Sequence, residues 1–250
     1  MVGLQQRCSL SKDGRTRRIK YGVVLQALLV VPFLLSLGNW QLERREQKTA
    51  LLTQWQEAGS YQGLEQPGLQ RFDRVQLRGQ LDPQRWLLLD NRVRHGVVGY
   101  EVIGLLKSTS GAALLVSLGW VAAGADRDQL PDVSIPEGER VLRGRLDQPQ
   151  AGFQLAADNW GARWPKRIQQ LTLARVEALI DTPLQPWLLR LDTELLSGEP
   201  NPWKPVIMPP TRHLGYAVQW FGLALAWLML TGWLLITLQR SGGSEGETDE

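Results

Sequence analysis

The sequence predicts a membrane protein in which two transmembrane helices flank an α+β, mainly antiparallel β, extracytoplasmic domain. Three observations carry that expectation. Two uncharged apolar blocks lie near the ends of the chain, at 21–40 and 214–238. A cluster of basic residues precedes the first block. Between the blocks, apolar residues alternate with polar ones and are punctuated by Gly and Pro, the pattern of half-buried strands. A mean hydropathy of −0.20 over 250 residues conceals this segregation.

Each apolar block is long enough to cross a hydrocarbon core as a helix, the one open-ended structure that satisfies its own backbone there. Aromatic residues mark the block ends, Tyr21 and Trp40 on the first and Tyr216, Trp220 and Trp233 on the second. Arg7, Lys12, Arg15, Arg17, Arg18 and Lys20 precede the first block against Asp13 alone, which keeps the N-terminus inside by the positive-inside rule. The expected organisation is a basic cytoplasmic tail over 1–20, a transmembrane helix over 21–40 and an extracytoplasmic β-rich domain over 41–212. A second transmembrane helix over 213–238 and a disordered acidic cytoplasmic tail over 239–250 complete it. A cleavable signal peptide is the alternative for the first block, with Ser36-Leu37-Gly38 as a small-x-small site. The length of the block and the charged helical continuation after it argue for a retained helix.

That continuation, 41–55, consists of strong helix formers with Leu51, Leu52 and Trp55 at helical spacing, and the helix is expected to end near Gly59. From Arg71 the period changes: Phe72, Val75, Leu77 and Leu81 open a strand, and further strands are expected at 85–91, 99–106 and 113–121. The segment 74–83 is echoed at 140–149, each copy a strand with a central Gly followed by a Pro turn, Gly79 in one and Gly144 in the other. A short amphipathic helix is expected over 172–181, a last strand over 187–191 and an extended Pro-rich linker over 198–210.

Composition excludes several functions. The formal charge of +3 and pI of about 9.2 come from the N-terminal cluster, and no basic stripe with interleaved aromatics marks a nucleic-acid groove. The cluster suits contact with anionic membrane lipid. The single cysteine, Cys8, precedes the first block, so the outer domain has no disulfide, thiolate ligand or c-type haem attachment. There is no phosphate-cradling Gly-rich loop, nucleophile elbow or zinc helix, and two histidines cannot build a multi-imidazole metal site. No catalytic residue is assigned, and the chain is not expected to be an enzyme. Asp158 and Asp192 read as surface or turn residues. His95, beside Gly96 between two strands, reads as turn chemistry.

His213 is the candidate that carries chemistry. With Thr211 as the expected cap after Pro209-Pro210, it falls in the first turn of the second apolar helix. Ala217, Trp220, Ala224 and Trp227 follow on roughly the same face. Small residues alternating with indoles leave room for a flat apolar ligand under an imidazole, the commonest metal-binding side chain, while Arg212 is placed to meet a ligand carboxylate. The same small residues equally suit close packing of the two helices.

The assembled motifs resemble the surfeit locus protein 1 family over nearly the whole chain after the N-terminal tail. They are Gly38-Asn39-Trp40-Gln41-Leu42-Glu43-Arg44, Arg71-Phe72 leading to Gly79, Gly99-Tyr100-Glu101-Val102, and Gly119-Trp120-Val121 followed by Arg127. Trp164-Pro165 and Arg212-His213-Leu214-Gly215-Tyr216-Ala217-Val218-Gln219-Trp220-Phe221 complete the set. Ser117-Leu118 departs from the Asn-Arg pair usual in that family ahead of Gly-Trp. The resemblance implies an assembly factor for a haem-copper cytochrome c oxidase in a bacterial inner membrane, its main domain periplasmic. It further implies haem a as the ligand, His213 as the candidate iron-ligating residue, with Arg212, Ala217 and Trp220 placed around it by the helical spacing above, and the oxidase catalytic subunit and haem a synthase as partners. The alternative is a haem-independent scaffold that stabilises a nascent oxidase subunit. A receptor or membrane enzyme is disfavoured, because cytoplasmic segments of about twenty and twelve residues are too short to fold alone.

Overall fold

The computed structural model describes residues 2–126, 129–149 and 163–243. The chain divides into two compact units. One comprises the residues up to Thr53 together with those from Pro205 on, and the other is Gln54–Lys204. Arg127 and Asp158 lie outside the described residues.

The first unit is built from helix α1, Val2–Gln56, and helix α3, Pro210–Gly243, both long and apolar enough to cross a membrane. The basic segment continues α1 as helix from Val2, and Pro32 sits inside it. α1 stops three residues short of Gly59. Val31 and Gly38 are buried on α1, and His213, Ala217 and Ala224 on α3. Each set recurs at helical spacing, so each helix presents one stripe to the other. The contact is close at Gly38: a Cβ there would lie 2.5 Å from the Phe221 ring. α3 begins two residues earlier than a Thr211 cap implies. Pro210 occupies its first position, where a missing N–H is harmless, and the Arg212 N–H donates to the Pro209 carbonyl at 3.0 Å. Thr211 is therefore a first-turn residue and not the cap. The helix also runs on to Gly243, into the segment expected to be disordered; 244–250 lie outside the described residues.

The second unit is a β-barrel of strands β1 (Arg74–Arg94), β2 (Val97–Ser108), β3 (Ala113–Ala122), β4 (Glu139–Asp147) and β6 (Leu188–Leu191), with the short β5 (Lys166–Ile168) added beside β1. β1, β2 and β3 form a meander and β4 returns to pair with β1, a Greek key. β6 then pairs with both β3 and β4 and closes the ring. The sheet is mixed: β3–β6 and β1–β5 are parallel, and the other four pairings among the described residues are antiparallel.

Two strands expected at 71–81 and 85–91 are one bent strand. Its pairing with β2 shifts between Leu81 and Trp86 and again between Leu89 and Arg92. The first irregularity is where Pro83 lacks a ladder donor, and Asp82 Oδ1 accepts the N–H groups of Gln84 and Arg85 instead, at 3.0 and 3.1 Å. The expected Pro turn is thus a barrel corner, which lets β1 pair with β4 along its first half and with β5 along its second. At the far end, His95 and Gly96 both have positive φ and join β1 to β2 in a two-residue turn.

The echoed segments are neighbours. β1 and β4 pair antiparallel about Leu77 and Leu142, and each echo's glycine admits the next strand along. A Cβ on Gly79 would strike the Lys107 carbonyl of β2, and one on Gly144 the Arg190 carbonyl of β6. The glycines mark close backbone approach, as their strand context suggests.

The interior is filled by Val75, Leu77, Leu88, Val102, Leu106, Leu114, Val116 and Leu146, all at most 4 % exposed. Leu87, Leu89, Ile103, Leu115 and Leu188 alternate with them and form a second cluster with helix α2, Leu173–Ile180. Both faces of these strands are therefore covered, which explains continuous apolar runs such as 86–89. α2 buries Val176 and Ile180, while Leu173 and Leu179 pack at the edge, the face expected from their spacing. Thr172 makes no side-chain cap hydrogen bond, and Asp181 ends the helix in the left-handed conformation. β5 is too short to leave a periodic signal.

Candidate functional site

The chemistry on α3 centres on His213, which is 9 % exposed. Its Nδ1 lies 2.8 Å from Oε1 of Gln41 on α1. An amide oxygen only accepts, so Nδ1 carries the proton and donates. Nε2 is buried with no hydrogen-bond partner among the described residues, leaving one nitrogen oriented and the other unengaged. No group of three or more His, Cys, Asp or Glu able to hold a metal occurs among the described residues, so Cys, His and carboxylates supply no multi-ligand site.

Around His213 the expected residues divide by exposure. Arg212 is exposed in the same turn and Trp220 is half-buried. Ala217 and Ala224 are 1 % and 2 % exposed on the stripe that carries Gly38's counterpart surface, so their small size serves the approach of α1 and α3. Gln41 belongs to one of the motifs quoted above, yet its spacing gives no hint that it meets His213. Only the antiparallel return of a helix far along the chain brings the two together.

A second constellation gathers on the outside of the barrel. Arg190 of β6 donates from Nη1 to Glu101 Oε1 at 2.7 Å and from Nε to Asp147 Oδ2 at 2.8 Å. Asp147 also accepts from Arg71 Nε at 2.8 Å, and Ser117 Oγ donates to Glu101 Oε1 at 2.6 Å. Arg94 of the β1–β2 hairpin forms a two-pronged pair with Glu194, which is 2 % exposed. That pair raises the Arg94 pKa above its ordinary value, against the opposing effect of burial. Trp120 Nε1 donates to the Arg92 carbonyl at 2.8 Å, its indole lies against Gly99, and Arg94 lies over its ring.

These contacts give the recognised barrel motifs a physical content. Arg71, Glu101 and the Gly99–Trp120 contact are parts of one polar and aromatic surface. At the departure from the family pattern, Ser117 holds Glu101 and Leu118 is fully buried in the barrel interior, so neither position supplies a cation. His95 lies at the hairpin turn and lines a cleft on this surface together with Arg94, Glu101, Trp120 and Glu194. Asp147 and Arg190 were missed at the sequence level. They come from strands adjacent only in three dimensions, and a lone charged residue at a strand end has no distinguishing spacing.

A β-barrel inserted in sequence between two long apolar helices, with one oriented imidazole on the second of them, defines a helix-flanked barrel protein. The chain belongs to the SURF1 family, whose family model matches residues 28–225. That family is associated with cytochrome c oxidase assembly and is not a known catalytic enzyme family. Among curated proteins no similar sequence was found.

Proposed function

We propose that this chain is a membrane-anchored assembly factor that receives haem a as cargo and helps its insertion into the catalytic subunit of a haem-copper oxidase. In this reading α1 and α3 span a bacterial inner membrane, both termini are cytoplasmic, and the barrel is periplasmic. The basic flank of the first span supports that orientation. The observation that carries the haem reading is the His213–Gln41 pair, which holds Nδ1 and leaves Nε2 buried and unpartnered. A second-shell hydrogen bond of this kind fixes ring orientation and raises ligand basicity. Arg212, exposed in the same turn, meets a propionate, and Trp220 supplies an apolar wall. Haem a synthase is the expected donor. The haem-independent scaffold rests on the burial of Ala217 and Ala224, which gives those residues a packing role.

The test is purification of the full chain in detergent after co-expression with haem a synthesis, reading bound-haem spectra and oxidase activity. His213→Ala is expected to lose haem, Trp220→Ala to retain less, and His95→Ala to match wild type. Gln41→Leu keeps the imidazole but frees its ring and is expected to weaken retention by roughly 10–100-fold. Normal haem in His213→Ala overturns the ligand assignment. Oxidase assembly that depends on a chain carrying no haem establishes the scaffold instead.

A further inference from the structure

Across the outer face of the barrel, three adjacent strands place arginines side by side. Arg74 of β1 stands opposite Arg145 of β4, and Arg145 stands opposite Arg190 of β6. Like charges directly opposite in a ladder repel, so this row works against the sheet that carries it. Arg190 is neutralised by Glu101 and Asp147. Arg74 and Arg145 make no ion pair among the described residues. Burial, and then the charge of Arg74, pull the Arg145 pKa below its ordinary value even though Asp192 acts the other way. Asp192 is itself engaged: it accepts the Tyr61 hydroxyl, and that bond, with burial, raises the Tyr61 pKa.

The row is also walled by rings. Arg74 lies over Tyr61 at 5.4 Å, Arg145 over Trp55 at 4.8 Å and Arg190 over Trp203 at 4.2 Å. Arg145 Nη1 donates to the Trp55 carbonyl at 2.6 Å, which holds its guanidinium in place. Two further donors, Arg74 Nε and Trp55 Nε1, are buried without a hydrogen-bond partner among the described residues. Native structures rarely leave such donors unmet, and two on residues of one cleft mark a place where acceptors are wanted. All these residues line a single cleft of about 340 Å³ on the barrel unit.

We propose that this cleft is a binding site for an oxyanion, the phosphate or carboxylate of a small ligand with a flat or apolar body. The chemistry follows from the parts. A guanidinium fork pairs two-pronged with a carboxylate or phosphate, and two forks side by side gain most from one shared anion because it also relieves their mutual repulsion. Trp55 and Trp203 offer apolar surface to the ligand body, and the volume is that of a small-molecule site. A soluble phosphorylated or carboxylated molecule and an acidic lipid headgroup share this chemistry. The site lies wholly within the barrel unit and does not rest on the haem reading.

The experiment is titration calorimetry on the full chain in neutral detergent, with phenyl phosphate, benzoate, inorganic phosphate and monomeric short-chain phosphatidic acid as probes at constant ionic strength. Phenyl phosphate is expected to saturate one site and to bind about tenfold more tightly than inorganic phosphate, since each 1.4 kcal/mol of ring contact is a factor of ten. Arg74→Gln and Arg145→Gln are expected to weaken it at least tenfold, while Arg78→Gln, an exposed arginine of the same strand, leaves it unchanged. Arg74→Lys keeps the charge but loses the fork and is expected to bind between wild type and Arg74→Gln. Without any anion, Arg74→Gln is expected to unfold at or above the wild-type temperature, because it removes a like charge. Tighter binding of phosphatidic acid than of phenyl phosphate makes the ligand a lipid headgroup, and the reverse order makes it a soluble molecule. No saturable binding of any probe, or equal loss in Arg74→Gln and Arg78→Gln, overturns the proposal.

Discussion

Asp147→Ala tests whether the polar surface of the barrel is structural. The carboxylate is 5 % exposed and accepts Nε hydrogen bonds from Arg71 and Arg190, each at 2.8 Å. A hydrogen bond to a charged group contributes about 1.5–3 kcal/mol, and leaving a buried charge without its partner costs about 3–5 kcal/mol. Two features reduce the loss. Arg190 keeps Glu101 at 2.7 Å, and the Arg71 side chain, 22 % exposed, can rehydrate. The expected destabilisation is therefore about 3 kcal/mol for Asp147→Ala. For Asp147→Asn, which retains one acceptor, it is about 1–2 kcal/mol. The assay is urea denaturation of the full chain in detergent followed by tryptophan emission, to which Trp203 contributes from 4.2 Å above Arg190. A cycle with Arg190→Met isolates the pair. A cost below about 1 kcal/mol for Asp147→Ala, or a coupling near zero, refutes the argument.

Two further outcomes follow from the barrel. Gly144→Ala and Gly79→Ala drive a methyl into the backbone of β6 and β2, which cannot yield as a side chain would, and each is expected to cost about 2–3 kcal/mol in the same urea assay. Gly59→Ala, with nothing within 4 Å, is expected to change little. For Asp82, burial raises the pKa, but the N–H groups of Gln84 and Arg85 and the Arg85 guanidinium outweigh it and hold the carboxyl below its ordinary value. A depressed carboxylate contributes stability that is complete above the unfolded pKa and is lost as pH falls through the folded one. Asp82→Asn is therefore expected to be less stable than wild type at neutral pH and to close part of that gap in acid, read as thermal midpoints across the acidic range.

The legibility of the chain followed the range of its interactions. α1 and α3 were readable from uncharged apolar runs of membrane-spanning length, and the face of α2 from helical periodicity, both written within a short stretch of chain. β2, β3 and β4 were readable from alternation and Gly breaks. The continuity of β1 was not, since Pro83 is a turn signal unless its neighbours supply replacement acceptors, as Asp82 does. The parallel pairings were hidden as well, because direction depends on where a distant strand inserts. At the candidate sites, His213 stood out as one of two histidines at a helix start. Gln41, Asp147 and Arg190 did not, because their roles exist only through partners far away in the chain.

β6 shows what the ion network contributes. At four residues it is the shortest strand of the closed ring, yet it must sit between β3 and β4, parallel to one and antiparallel to the other. Leu188 and Leu189 face opposite clusters that are both apolar, so hydrophobic patterning alone distinguishes weakly between two registers. Arg190 removes the ambiguity. In the observed register it reaches Glu101 on β2 and Asp147 on β4 together, whereas a one-residue slip turns a guanidinium into the apolar interior. We therefore expect the network to specify the register of the closing strand more than to add net stability, since buried ion pairs and apolar replacements often come out nearly even. Asp147→Ala combined with Arg190→Met should then recover much of the stability lost by Asp147→Ala alone, yet unfold less cooperatively, with a smaller dependence on urea. A double variant that unfolds as steeply as wild type would show that leucine packing and the Gly144 contact fix the strand without the charges.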